Sequence, residues 1–387
     1  MTNSHSTSAG SLVIKPVYSK EERKIFMDAA GPAYEGDPCY IKPLDFELAA
    51  RLDPKKNPSL NNADHQLWVA QKDGRVVGRI SAMLNPLHLQ RHADSTGHFG
   101  FLDAIDDEQV FDALLATAED WLTKRGMKRI AGPYNFSVNE ECGMLIDGFD
   151  SSPYVMMPHG RPWYQGHIER RGYTKASDMY ALRYVNERDF IPERRRRFVE
   201  KLISKDKVSI RLLDMKNFRE DIGIVVDIFN DAWADNWGFI PFTNAQADQM
   251  ASELRPIIEP HNMVLCYYEG QPAAFGLVLP NVNEASRDFG GKLFPFNWVK
   301  FLWRLKVKGL TSARMPLMGI RKKLQGKPVG AAFAYKIIDM VNSANLDRGT
   351  KESELSWILE TNPAMLNMLT EMGGEIYKTY RIYERPL

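Results

Sequence analysis

The densest run of chemically capable side chains is GPYNFSVNEECGMLIDGFDSSPYVMMPHGRPWY, residues 132–164. It sets Asn135, Ser137, Asn139, Glu140, Glu141, Asp147, Asp150 and His159 among glycines and the rings of Phe, Tyr and Trp. Carboxylates and an imidazole can take a proton from a substrate, while amides and hydroxyls orient it. Apolar walls would give such a pocket its shape. The same Asn, Ser and Asp residues could instead satisfy backbone groups in a network of caps and turns. A loop this long favours the pocket. His159 suits a structural hydrogen bond as well as it suits catalysis. In extended chain Glu140 and Glu141 point to opposite faces, so at most one enters the site.

A second chemical feature is RMPLMGIRKKLQGKPVG, residues 314–330, with the helical stretch AAFAYKIIDMVNSANLDRG behind it. It reads as an apolar strand, a basic turn and a helix. Arg321, Lys322, Lys323 and Lys327 bring positive charge to the turn, and Gly326 and Gly330 let a ligand approach its N–H groups. A helix opening there offers unpaired N–H groups and a positive dipole end, so the turn can cradle an anion. A plain basic surface turn has the same outline.

Two domains are expected from 387 residues. A hydrophobic content of 44%, a charged content of 26% and a net charge of +1 describe an ordinary globular chain and argue against wholesale nucleic-acid binding. Cys39, Cys142 and Cys266 are widely spaced and odd in number, with no disulfide or zinc pattern. That suits a reducing cytoplasm, and no metal is expected. No apolar run is long enough to span a bilayer.

The elements that must position these residues occur twice. Residues 1–11 are polar and expected to fray. Residues 12–185 carry a strand, a helix, an Asp73-Gly74 hairpin, a strand over 97–104, a helix to about Arg125, a strand over 127–131, the polar loop, a helix and a strand. Residues 186–207, with Arg194–Arg197, read as a linker helix. Residues 208–387 repeat the order: strand, two helices around the aromatic loop ADNWGFIPFT with Trp237, an Glu269-Gly270 hairpin, the basic strand–turn–helix, and a closing strand–helix–strand. The fold class is α/β, a mixed sheet built from two like domains.

The second half resembles the GNAT superfamily of acyl-CoA-dependent N-acyltransferases. The strand–turn–helix with QGKPVG and the ending SWILETNPAML…EMGGEIYKTYRIY carry the resemblance. The first half is similar through its element order and its ending HIERRGYTKASDMYALRY. Together they resemble the tandem-GNAT group of bacterial proteins with the motif GPxNFSxNEExGxLIDGFD, a group that includes bacterial ceramide synthases, which acylate sphingoid bases. The resemblance implies acyl-CoA as co-substrate, bound by Gly319, Ile320, Arg321, Lys322, Lys323, Gln325, Gly326, Lys327, Val329, Gly330 and Asn362. It places Asn135, Ser137, Asn139 and Trp237 on the acceptor side.

Two departures matter. The first half has acidic residues where the second has its glycine turn, and acid repels a pyrophosphate. Acyl-CoA is therefore expected in the second half alone. Leu369 and Thr370 stand where the family pattern would put a tyrosine acid, which leaves Tyr377 or Tyr380 as substitutes. Amide formation also needs the acceptor ammonium to lose a proton, and Glu140, Glu141, His159 and Glu360 are the candidate acceptors. A backbone N–H just before Gly319 or Ile320 would hold the thioester oxygen.

The insertion at 290–310 addresses the substrate. As a helix it puts Phe294, Trp298, Phe301, Leu302 and Leu305 on one face and Lys300, Arg304 and Lys308 on another. Such a helix suits contact of 294–308 with an anionic membrane, or a core helix with a basic outer face. The expected function is transfer of a long acyl chain to a hydrophobic amine such as a sphingoid base, in the cytoplasm at the inner membrane face. A small-molecule or peptide N-acetyltransferase, or a non-catalytic GNAT-fold binding protein, are the alternatives.

Overall fold

A computed structural model describes residues 11–188, 191–204 and 207–387. Of the expected N-terminal tail, 1–11, only Ser11 falls among them. The first half supplies β1 (Leu12–Val17), β2 (Asp64–Lys72), β3 (Arg75–Leu84), β4 (Thr96–Ala104), β5 (Arg129–Gly132), β6 (Met144–Asp147) and β7 (Thr174–Val185). The second supplies β8 (Val208–Leu212), β9 (Met263–Tyr268), β10 (Gln271–Pro280), β11 (Ser312–Ile320), β12 (Glu352–Leu359) and β13 (Glu375–Pro386).

These strands form one mixed sheet in the order β1-β2-β3-β4-β5-β13-β7-β12-β11-β10-β9-β8, with β6 also pairing β13. Both hairpins turn at residues with positive φ, Asp73 and Gly74, then Glu269 and Gly270, as a tight turn between twisted strands demands. The strands are apolar on both faces because helices cover both. Trp68 and Ala70 enter one core while Leu67 and Val69 enter the opposite one, and Val264 and Cys266 alternate likewise with Met263 and Leu265. The helix Glu108–Thr123 buries Val110, Leu114, Ala118 and Leu122 at helical spacing. The segment between the halves contains the helix Glu193–Ile203.

Repetition in sequence does not produce two closed sheets. β13 lies between β5 and β7, and β7 lies between β13 and β12. The last strand of each half thus completes the sheet of the other. Each half also contains a wedge between parallel strands. β4 and β5 pair only over 96–98 and 129–131, and β11 and β12 only over 312–315 and 352–355. Beyond Met315 and Leu355, β11 stays with β10 to Ile320 while β12 stays with β7 to Leu359, so the two part.

The insertion folds as the helix Asn297–Trp303 followed by a wider π turn, Arg304–Lys308, and its faces differ from expectation. Lys300 and Arg304 pair with Asp288, each at 2.5 Å. No residue of the helix or the turn is buried, and Phe294, Trp298, Leu302 and Trp303 are exposed. A core helix is therefore the wrong picture: Phe301 and Leu305 are only half-buried, and Lys300 and Lys308 stay exposed beside the uncovered part of the apolar side. No helix among the described residues is long and apolar enough to cross a membrane.

Strand exchange makes a local prediction. Ile382 is fully buried on β13 at the junction. Ile382→Ala should cost about 2–5 kcal/mol and speed hydrogen exchange in β5 and β12 alike. Faster exchange confined to the second half would contradict the shared sheet.

Candidate active site

The first wedge is filled by the chain itself. The Tyr134 N–H donates to the Phe99 carbonyl at 2.7 Å, and the Asn135 Oδ1 accepts from the Phe101 N–H at 2.7 Å. A side chain at Gly100 would place its Cβ 1.8 Å from the Tyr134 oxygen, so glycine is required for this approach. The Asn135 Nδ2 donates to Glu141 at 3.0 Å, and Glu141 pairs with Arg51 at 2.8 Å. Arg51 and these hydrogen bonds hold the Glu141 carboxyl below its ordinary range despite burial. Asn135 and Glu141 are therefore spent on packing the loop into the wedge. The nearby helix start is filled as well: the Asp107 carboxylate accepts from the N–H groups of Gln109 and Val110 and pairs with Lys72 at 2.5 Å.

Among the described residues no loop enters the second wedge in this way; on β11 the Met318 carbonyl accepts from the Trp233 indole N–H at 3.1 Å. The helix Pro328–Leu346 begins without a side-chain cap, which leaves the Val329 and Gly330 N–H groups directed at the basic turn. A Cβ at Gly330 would lie 2.2 Å from the Leu324 oxygen, so the turn closes only over glycine. The cations divide into two pairs. Arg321 binds Asp227, and Lys322 binds Asp235 at 2.6 Å through Nζ and Asp231 at 2.9 Å through its N–H. Lys323 and Lys327 are exposed and carry no ion pair among the described residues. Of the four cations expected to face an anion, acids of the helix Phe218–Ala232 and of the loop after it thus engage two. The Gln325 amide donates to the Ala232 and Ile320 carbonyls, bracing the turn. Gly319 accommodates the Phe275 ring, which a Cβ would meet at 2.6 Å. Asn362 caps its own helix by accepting from the Met365 N–H at 3.1 Å.

Where β11 and β12 part, the structure gathers charges in the interior. Glu354 is 0% exposed and Arg314 1%. The Arg314 Nε lies 3.4 Å from Glu354 and donates to the Ser356 hydroxyl at 2.9 Å, while Nη1 reaches the Val155 carbonyl at 3.0 Å. Arg314 thereby ties the first-half loop to the second wedge. The Ser356 hydroxyl donates to Glu354 at 2.6 Å, and the Tyr377 hydroxyl donates to the same carboxylate. The pairing of β13 with β7 slips between Ile376 and Lys378, so Tyr377 sits at a bulge that re-aims its ring. Burial and the Glu354 charge push its pKa far up, so it stays protonated at neutral pH. Trp237, Trp357, Val138 and Phe149 pack with Tyr377 around one apolar cluster drawn from both halves.

The remaining sequence candidates have definite places. The Glu360 carboxylate pairs with Lys175 at 2.6 Å and accepts from the Asp178 N–H at 3.0 Å, an ordinary strand tie that occupies the expected proton acceptor. The His159 Nε2 meets Asp37 at 3.0 Å, and burial lowers its pKa. The Ser137 hydroxyl accepts from the Asn139 N–H, and the Asn139 amide donates to the Ile240 carbonyl at 3.0 Å, joining the loop to the second half. Glu140 has one oxygen without a hydrogen-bond partner among the described residues. Burial raises its pKa to about 7, against a partial offset from Arg51.

No family model matches the chain. It is 42% identical over 384 residues to the bacterial ceramide synthase of Caulobacter vibrioides (strain NA1000 / CB15N), covering 99% of both chains. The chain belongs to the tandem GNAT family of that ceramide synthase. It is also 41% identical over 379 residues to Protein YghO of Escherichia coli (strain K12), covering 97% of this chain and 95% of that one. A solved tandem GNAT protein from the clavulanic acid biosynthesis pathway shares the fold with a TM-score of 0.58 at 13% identity, covering 97% of this chain and 98% of that one.

In this tandem GNAT chain the sequence reading passed over Arg314, Glu354 and Ser356. One signal was available: in ESELSWIL the polar Glu352, Glu354 and Ser356 alternate, and period two puts them on one face of β12. Glu140 yields a pH prediction. An acid with a raised folded pKa destabilises the fold as it ionises, so stability should fall by roughly 3 kcal/mol between its ordinary 4.5 and about 7. Glu140→Gln should flatten that fall in denaturant titrations across the range. An unchanged slope would show that Glu140 ionises freely.

Proposed function

We propose that the protein is an N-acyltransferase that moves a long acyl chain from acyl-CoA to a hydrophobic amine, with a sphingoid base as the leading acceptor. The observation that carries the reading is the Glu354–Tyr377 dyad at an open wedge beside an uncapped helix start. The ceramide synthase relative supports the acceptor class. Lys323, Lys327 and the Val329 and Gly330 N–H groups would meet the phosphates of CoA, and its pantetheine arm would lie between β11 and β12. The first half takes no donor, because Asn135 and Asp107 already occupy the equivalent positions.

The chemistry follows from what each group can hold. The acceptor ammonium gives up a proton, through water, to Glu140, whose pKa of about 7 suits a base at neutral pH. The amine nitrogen attacks the thioester carbonyl, whose oxygen is held by a backbone N–H of β11. The C–S bond breaks as the amide forms, and the Tyr377 hydroxyl protonates the leaving thiolate. The surplus proton on the new amide nitrogen returns through Glu354 to the tyrosine. Glu354, held by Arg314 and Ser356, keeps Tyr377 oriented.

The acceptor would arrive from a membrane surface on the cytoplasmic side. Phe296 is 79% exposed and Val307 73%, with Phe294, Trp298, Leu302 and Trp303 beside them. The Asp45 N–H donates to the Gly291 carbonyl at 2.8 Å, which brings exposed Phe46 of the first half to the root of the insertion. Exposed Lys292 and Lys308 flank the apolar side and favour anionic headgroups.

One assay tests the proposal. Given a long-chain acyl-CoA and a sphingoid base in anionic vesicles, the protein should release CoA and N-acyl amide in equal amounts. Tyr377→Phe should lower kcat about a hundredfold with KM little changed, and Phe296→Ser with Trp303→Ser should impair only the vesicle-borne substrate. A fully active Tyr377→Phe removes the tyrosine from the mechanism, and a preference for acetyl-CoA with soluble amines refutes the lipid reading.

A further inference from the structure

A small void lies on the helix side of the second wedge, directly behind its apex. Met315 and Leu355, the last paired residues of β11 and β12, form one wall. Ile338 and Val341 of the helix Pro328–Leu346 and Leu369 and Met372 of the last helical turn region form the others. The apolar lining ends deeper in, at Ser353, Asn342 and Asn186. Ser353 is one same-face step before Leu355, and Asn342 is one helical turn beyond Ile338. The Asn186 and Asn342 amides are held by carbonyls of Thr350 and Glu187, so this polar end is fixed in place.

The material around the void differs from its counterpart in the first half. The helix-side core of the second half includes Met315, Met318, Met340, Met365, Met368 and Met372, whereas that of the first half includes Met127 and Met144. Methionine is unbranched and has several rotatable bonds, so Met315 and Met372 in the wall, with the methionines packed behind them, can move aside for a flexible apolar guest where branched residues would resist. The opposite face of the same strands carries Arg314, Glu354 and Ser356, which an alkyl chain would avoid.

We propose that this void, with Met315 and Met372 in its wall, receives the end of the donor's acyl chain and that the Ser353–Asn342–Asn186 floor sets the preferred chain length. The inference rests on the reading that the second wedge binds a long-chain acyl-CoA. A chain running past the apex on the helix side exchanges water for apolar wall until it reaches the fixed amides. Beyond them each added methylene gains nothing.

Calorimetric binding of saturated acyl-CoAs of increasing length, without amine, tests this directly. Affinity should rise about fourfold per methylene and then level off. Val341→Trp should move the plateau to shorter chains and weaken the longest well-bound chain at least tenfold, with short chains unaffected. Met372→Ala should move it to longer chains, and it carries the test if the tryptophan variant does not fold. An unchanged chain-length profile in folded variants that still bind acyl-CoA would overturn the inference alone. Failure of the wild type to bind any acyl-CoA would overturn the donor reading beneath it.

Discussion

The exchange of closing strands is the constraint on which the rest depends. Because β13 fits between β5 and β7, Tyr377 belongs to the second half by sequence but sits in the sheet of the first. Because β7 borders β12, one side of the second wedge is backed by the first half. Neither half can present the Glu354–Tyr377 pair alone. The buried Arg314 reinforces this by holding the Val155 and Met156 carbonyls of the first-half loop. A buried charge of this kind is costly to leave unpaired, so its partners are fixed with it.

The two wedges show how a duplicated fold can divide its work. The same parting of parallel strands occurs at Ala131 and at Leu355. In the first half an amide side chain takes the place of a ligand on β4, and a carboxylate takes the place of an anion at the helix start. In the second half the helix start has no side-chain cap, and the side-chain partner on β11 is the Trp233 indole at the Met318 carbonyl. The polar loop that fills the first wedge continues to Asn139, which contacts Ile240, and Val138 packs in the cluster that holds Tyr377. Self-occupation therefore brings the loop to the neighbouring site.

The fold was largely legible because its signals are local. Asp73-Gly74 and Glu269-Gly270 fix their turns, and the helical spacing of Val110, Leu114, Ala118 and Leu122 fixes its helix. The exchange was invisible, since no local preference distinguishes a strand that closes its own sheet from one that closes its neighbour's. The site was legible only in part. The opposite fates of the two helix starts followed from acid in one and glycine with lysine in the other. The pairing of Arg321 and Lys322 with Asp227, Asp231 and Asp235 was hidden by some ninety intervening positions. Glu354 drew no role from the sequence, because a lone glutamate on a strand is usually exposed; only the arrival of Arg314, Ser356 and Tyr377 makes its burial tolerable.

The central claim is that donor binding belongs to the second wedge alone. Hydrogen exchange of the full chain with and without a long-chain acyl-CoA measures this most directly. New protection is expected over 317–320 and 329–331, with 99–103 and 107–110 unchanged. Protection appearing at the first wedge, with the second unaffected, would contradict it.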